Sequence, residues 1–352
     1  MSARKVKLTA ALVGCGRIGW LLEDDPLRGK PCTHAGALSA DRRVKLSAAA
    51  DPDPQRLADF GSRFGVGALY PSHRELLDRH RVDLLAVAAP TECHADIVTE
   101  AAASGRVRGI YCEKPVSRSL EEADRMIEAC ERAGVALVVG HERRFGAHFI
   151  KARELVASGA IGQVRTLIGQ ALGGEPPAVL KSEAGGGPLL HDGTHLTDLF
   201  GYFCGPAAWV IGRVERSHGP QNIEHTASAL VGMENGATGF IEGGGRRSYF
   251  AFDLEVQGEK GVVRIGNRPP ELWLAWPSPR LTGFNELIQA DFPAYEPNNG
   301  FVAAFQALIE EIETGKPSLS TGRDGRAALE MILAIYESAA RGGKRVRIVG
   351  RA

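Results

Sequence analysis

The residues Gly14-Cys15-Gly16-Arg17-Ile18-Gly19 follow directly on Lys7 to Val13, an apolar run with the make-up of a buried strand. Glycines spaced G-x-G-x-x-G behind a strand restrict the fold more than anything else in this chain. Glycine at 14 permits a tight turn, glycine at 16 lets main-chain N–H groups approach a pyrophosphate, and glycine at 19 lets the following helix pack closely on the strand. That helix turns its positive end toward the phosphates. The segment therefore predicts a dinucleotide site made by Gly14, Gly16, Arg17 and Ile18.

The surrounding rhythm agrees. Val44 to Ala50, Val82 to Ala88, Gly109 to Cys112 and Ala136 to Val139 read as further short strands, alternating with amphipathic stretches such as Leu120 to Ala133, which Gly134 terminates. This is the pattern of a parallel sheet covered by helices. After Gly140 it changes. A helix at about Phe149 to Ser158 leads into strands at Val164 to Ala171, Ala208 to Glu215, Thr226 to Met233, Ala237 to Glu242, Phe252 to Gln257, Val262 to Ile265 and Glu271 to Trp276. Asn235-Gly236 closes one hairpin. Two helices, Phe301 to Thr314 and Arg323 to Ala340, precede a last strand at Arg345 to Val349. The expected order is an α/β domain over residues 1–140, then an α+β domain over 141–352 whose last helix can pack back on the first.

A dinucleotide site also needs an acceptor for the adenosine ribose at the end of the second strand, where Asp51 stands. Its distance from Gly19 is 51 − 19 = 32 residues, against a usual ~20. Between them, Glu23 to Gly36 carries the prolines and glycines of an inserted loop, read either as a solvated excursion or as a flap over cofactor or substrate. A carboxylate at 51 accepts from a free 2′-hydroxyl and repels a 2′-phosphate, and Pro52 follows it rather than an arginine, so NAD is favoured over NADP.

Charge and cysteine usage narrow the partners. Lys plus Arg (42) equals Asp plus Glu (42), so no basic stripe exists to neutralise a nucleic-acid backbone. The six cysteines contain no C-x-x-C pair and read as reduced, mostly buried thiols. The N-terminus imitates a lipoprotein signal, but its apolar run is shorter than the ~7–15 residues required. No run reaches the ~18 apolar residues of a membrane span, so neither membrane nor nucleic acid is expected as a partner, and the cytoplasm is the expected compartment.

The third strand continues Ala89-Pro90-Thr91-Glu92-Cys93-His94, and the fourth ends Cys112-Glu113-Lys114-Pro115. With GCGRIG, GHERRF (Gly140 to Phe145), GAIGQV (Gly159 to Val164) and STGRDG (Ser320 to Gly325), these segments resemble the Gfo/Idh/MocA family of dehydrogenases. The resemblance implies a Rossmann domain followed by an α+β domain with a large, mostly antiparallel open sheet, through which members often form homodimers or homotetramers. It places Pro90, Thr91, His94 and Glu113 along the cofactor and Lys114 beside nicotinamide and substrate, with the peptide before Pro115 often cis. In Gly185 to Phe200, His195 falls on the family histidine and Asp198 on a later aspartate. His191 takes the place of the family's first aspartate, with Asp192 next to it.

Hydride loss from a carbinol carbon requires the hydroxyl proton to leave to a positioned base. Lys114 and His195 compete for that role: the amine needs desolvation or a neighbouring positive charge to work near neutrality, whereas an imidazole does not. The chemistry requires both to converge on one cleft facing the nicotinamide. Asp192 and His191 are expected to hold neighbouring hydroxyls of the substrate. The four-residue step from His191 to His195 would put both rings on one helix face, which raises a metal site, but none is assigned. His141, Arg143 and Arg144 follow the fifth strand at the ligand-binding end of the sheet, and Arg144 is taken as a substrate contact. His148, His218 and His225 read as ordinary residues, and Trp273 and Trp276 as packing or interface residues. The expected activity is NAD(P)-dependent hydride transfer at a secondary alcohol or ketone of a sugar, sugar derivative or cyclitol. The rivals are a reductase of a diketone, imine or tetrapyrrole, and a non-catalytic NAD-binding regulator.

Overall fold

A computed structural model describes residues 8–174, 187–216 and 224–350, and the chain divides into two compact units. The first comprises Met1–Phe145 and Asn298–Arg326, the second Gly146–Pro297 and Ala327–Ala352. The chain thus leaves the first unit after Phe145 and later re-enters it.

In the first unit, β1 (Leu8–Val13), α1 (His34–Ala40), β2 (Val44–Ala50), α2 (Pro54–Phe64), β3 (Ala68–Tyr70), α3 (His73–Arg79), β4 (Leu84–Val87), α4 (Thr91–Ala103), β5 (Gly109–Cys112), α5 (Leu120–Ala133) and β6 (Ala136–Val139) alternate. The six strands form one parallel sheet in the order β3-β2-β1-β4-β5-β6. Every residue of β4 and β5 is buried, which is why they read as unbroken apolar runs. Helix starts follow from local chemistry. The side chains of Asp53, Ser72 and Ser119 accept main-chain N–H groups at the starts of α2, α3 and α5. The edge strand β3 escaped the sequence reading, because three half-buried residues carry no periodicity.

The glycine-rich turn runs into a single 3-10 turn, Leu21–Asp24, rather than into a long helix. Trp20 N–H donates to Gly16 O (3.0 Å) and Leu22 N–H to Arg17 O (3.0 Å), but the next rungs come from His34, to Ile18 O (3.1 Å), and Ala35, to Gly19 O (3.0 Å). In an unbroken helix Ile18 O would receive the N–H of Leu22. His34 takes that place, so 34 − 22 = 12 residues are looped out of one helix. This accounts for the long spacing from Gly19 to Asp51. Glu23 closes the neck of the loop, its Oε1 accepting from Cys32 N–H (2.7 Å) and Thr33 Oγ1–H (2.8 Å).

The second unit contains α6 (Ala147–Ala157), β7 (Val164–Leu172), α7 (Pro188–His191), α8 (Thr194–Cys204), β8 (Ala207–Arg216), β9 (Glu224–Met233), β10 (Thr238–Gly244), β11 (Ala251–Gly258), β12 (Gly261–Gly266), β13 (Glu271–Pro277), β14 (Asn285–Ala290) and, after two further helices, β15 (Val346–Arg347). These strands form one sheet in the order β14-β13-β12-β11-β7-β10-β9-β8-β15. Its neighbours run antiparallel, apart from the parallel pair β7 and β10. Asn235-Gly236 makes the β9–β10 turn, with Asn235 Oδ1 accepting from Ala237 N–H at 3.0 Å. The polar edge strand β14 was not anticipated.

One face of this sheet packs on α8. Phe200 fills the room left by Gly169 and Gly239, where an added Cβ would come within 3.0 and 2.3 Å of its ring. Side chains alternate across a strand, so the neighbouring positions Ile211, Leu230, Phe240 and Ile168 line the other face in one cross-strand row. Phe240 there is 48% exposed and Ile168 36%. The two further helices are α9 (Gly300–Thr314), whose Leu308 and Ile312 lie against Gly109 in the first unit, and α10 (Gly322–Ala340), which begins in the first unit and ends in the second. Among the described residues no helix is long and apolar enough to cross a membrane.

Candidate active site

The strand order of the first sheet reverses between β1 and β4, and in such sheets ligands bind beyond the carboxyl ends of the strands at that reversal. The glycine turn occupies this place. Gly14 has φ +97°, and a Cβ there would lie 2.6 Å from the main chain of Ala88. At Gly19 a Cβ would lie 2.2 Å from Gly14 O, so the turn closes only without side chains. Gly16 differs: a Cβ there would meet nothing within 4 Å. The backbone is bare toward open space where a pyrophosphate requires close approach, so the residues present fit a dinucleotide. Arg17 beside it is exposed and Ile18 half-buried.

Asp51, at the end of β2, is buried, and its Oδ2 accepts from Cys15 N–H at 2.7 Å while Oδ1 accepts from Asp53 N–H at 2.9 Å. It therefore ties the strand end to the glycine turn. The helix-capping task falls to Asp53. Burial, reinforced by the negative charge of Asp51, pushes the Cys15 thiol up to about 12, so it is no nucleophile.

At the end of β4, Pro90 is exposed and Thr91 opens α4 half-buried. His94 is buried, with Nε2 at 2.9 Å from Ala89 O and Nδ1 at 3.1 Å from Pro115 O. It joins the segment after β4 to the segment after β5. Burial holds its pKa below the usual imidazole range. Glu113 and Lys114 follow β5, and the Lys114–Pro115 peptide is cis, as the resemblance implied. Glu113 is buried. Its Oε1 meets His34 Nε2 at 2.8 Å and its Oε2 accepts from Lys114 N–H at 3.0 Å. Burial pushes this carboxyl up, but the hydrogen bond and charge of His34, with the charge of Lys114, outweigh it and hold the pKa below its ordinary value. Lys114 is half-buried. The Glu142 carboxyl is pushed up by burial, against the pull of Arg143 and Lys114.

The second unit brings its own cluster. The helix imagined through His191 and His195 is interrupted: α7 ends at His191, α8 begins at Thr194, and His195 N–H donates to Asp192 O (3.2 Å). The physical reason is the tight turn at Gly193, where a Cβ would lie 2.6 Å from Leu189 O. His191 and Asp192 are partly exposed, with Nδ1 and Oδ1 3.1 Å apart. His195 and Asp198 are buried, and His195 sits edge-on to Phe252 at 6.2 Å. Beneath α7, the buried Glu224 accepts Leu189 N–H at 2.5 Å and is hydrogen-bonded to Tyr336 of α10. Among the described residues, no group of three or more His, Cys, Asp or Glu side chains could hold a metal ion. Gly185, Gly186 and His218 lie outside the described residues.

Arg144 is buried, and its Nη1 donates to Leu319 O (2.8 Å) and Asp324 Oδ1 (2.9 Å), clamping the turn after β6 to the start of α10. His141 is fully buried. The residue that the sequence reading missed is His34. It stood unremarked at the end of the inserted segment, and only deleting that segment brings it into the first helix.

Two family models match the chain: residues 8–141 match the "Oxidoreductase family, NAD-binding Rossmann fold", and residues 149–264 the "GFO/IDH/MocA C-terminal domain". The chain is 27% identical to myo-inositol 2-dehydrogenase of Thermotoga maritima over 90% of its length and 92% of that protein's. It is 25% identical to D-apiose dehydrogenase of Rhizobium rhizogenes, over 96% of both chains. The crystal structure of aldose-aldose oxidoreductase from Caulobacter crescentus, complexed with glycerol, superposes with a TM-score of 0.80 at 26% identity, covering 97% of this chain and 99% of that one. With both models matched in order and a glycine turn fit for a dinucleotide behind the first strand, this chain belongs to the Gfo/Idh/MocA family of oxidoreductases.

Proposed function

We propose that this enzyme oxidises a secondary alcohol of a cyclitol or sugar, reversibly, with NAD rather than NADP as cofactor. The observation that carries the reading is the placement of Glu113-Lys114 at the carboxyl end of β5, on the same edge of the sheet as the bare turn at Gly16. Relatives over nearly the whole length act, by their names, on myo-inositol and D-apiose. Bound nicotinamide supplies the hydride acceptor, and the chain supplies binding, orientation and proton handling. Gly14, Gly16, Arg17 and Ile18 hold the pyrophosphate, and Asp51 the adenosine ribose, its carboxylate disfavouring a 2′-phosphate. Pro90, Thr91 and Glu113 line the cofactor, and His94 braces the two segments that do so.

Lys114 and His195 manage the substrate hydroxyl proton, and Asp192 and His191, half open to solvent, take neighbouring hydroxyls. Arg144 serves by fixing the turn after β6. The exposed apolar row at Ile168, Leu230, Phe240 and Ile211 supports homo-oligomer formation through the large sheet.

The test is nicotinamide reduction, followed by absorbance, with myo-inositol, scyllo-inositol, D-apiose and levoglucosan. Turnover is expected with at least one, falling on the order of a hundredfold or more in Lys114→Met and in His195→Asn. Turnover confined to diketones, imines or tetrapyrroles, or tight NAD binding with no turnover at all, would overturn it.

A further inference from the structure

We propose that His34 is a positioning residue for Lys114, acting through Glu113; the inference rests on the reading of Lys114 given above. The looped-out segment ends at His34, so this side chain is the first to re-enter the helix after the excursion, in the register of an uninterrupted turn. Its ring is fully buried among Tyr111, at 5.0 Å, and Phe301 and Phe305, at 5.8 and 5.9 Å. Tyr111 and Phe305 are themselves stacked at 4.6 Å. These aromatic walls leave the imidazole little freedom to turn. One ring nitrogen, Nε2, meets Glu113 Oε1 at 2.8 Å; the other, Nδ1, has no hydrogen-bond partner among the described residues. Nε2 carries the proton that faces Glu113, since a buried carboxylate requires a donor.

Glu113 passes the constraint on. With Oε1 held by His34, its other oxygen accepts the main-chain N–H of Lys114 at 3.0 Å. Gly140 closes the far side, where a Cβ would come within 3.3 Å of Glu113 Cα and 3.4 Å of Oε1. The carboxylate is thus fixed from three directions: by the first helix, by the residue it precedes, and by the segment after β6. The lysine side chain departs from a main chain pinned at its own N–H. A base that must meet a hydroxyl within ~3 Å tolerates little displacement, and an error near 1 Å costs on the order of a hundredfold in rate. The position just past a 12-residue excursion is where such a displacement would enter.

The test compares His34→Met, which fills the space without a donor, with His34→Gln, whose amide N–H reaches toward the place of Nε2. With NAD+ and the best polyol of the panel, His34→Met is expected to lower kcat on the order of tenfold or more while the calorimetric Kd for NAD+ stays within about twofold. His34→Gln should recover most of the loss. Amide exchange, read by NMR, should speed up at Lys114 in His34→Met and not at Ile110 within β5. Should His34→Met not fold, Glu113→Gln takes its place, judged by kcat and by amide exchange at Lys114 and not by NAD+ affinity, since Glu113 itself lines the cofactor. A kcat within about twofold of the parent, or His34→Gln as impaired as His34→Met, overturns the proposal. In a Lys114→Met background the His34 change should cost nothing further. If Lys114→Met itself turns over normally, the reading of Lys114 fails, and unaltered exchange at Lys114 then overturns the positioning role separately.

Discussion

The carboxylate of Asp51 holds the main-chain N–H of Cys15 at 2.7 Å, so the residue that ends the second strand also shapes the glycine turn at the end of the first. A ribose acceptor that is already part of the phosphate loop ties cofactor affinity to the shape of the turn. Asp51→Ala leaves the buried Cys15 N–H without an acceptor, at a cost of about 1–3 kcal/mol. Urea unfolding should show that loss, and calorimetry an NAD+ affinity reduced on the order of tenfold or more. Unchanged affinity would remove Asp51 from the cofactor site.

Two glycines of the turn predict different phenotypes. Gly16→Ala places a methyl in open space, so the thermal midpoint should hold while NAD+ affinity falls on the order of tenfold or more. Gly14→Ala, at φ +97° and against Ala88, should lower the midpoint itself. Thermal unfolding alongside NAD+ calorimetry separates the two, and equal loss of stability in both variants would contradict the geometry.

Two buried carboxyls give stability of opposite pH sign. The folded-state pKa of Glu113 is depressed, so its contribution is present above the unfolded value of ~4.3 and lost as pH falls through the folded one. That of Glu224 is raised by burial, so its contribution is full below ~4.3 and declines as pH rises through the folded value. Glu113→Gln should flatten the acid limb of the midpoint-versus-pH curve, and Glu224→Gln the decline on the side above ~4.3. Parallel curves for parent and both variants would refute the assignment.

The apolar row on the large sheet predicts an assembly. Phe240→Asp puts a charge into its centre, and sedimentation velocity should then report a smaller species than the parent at equal concentration. A monomeric parent would refute the sheet as an interface.

Asn-Gly at 235–236 and Gly134 announced a hairpin and a helix end because backbone conformation there is a local matter, decided by the residues themselves. Unbroken apolar runs located β5 and β6 to the residue, since strands buried on both faces admit little else. The same logic failed for β3 and β14, which are half-buried or exposed along their length and take their form from a neighbour rather than from their own pattern.

By itself the sequence determined the order of an α/β unit and a sheet-rich unit, the glycine turn, and the identity of the charged residues at strand ends, all properties of neighbours in the chain. Only the tertiary structure decided what those charges do. Nothing in the sequence around Arg144 points to the ion pair it makes with Asp324, far along the chain. His34 reads as loop until the helical ladder resumes through it and Glu113 closes on its ring. Partners so distant in sequence meet because burying apolar surface brings their elements together, and a buried polar group then bonds to whatever stands beside it, which no local pattern encodes.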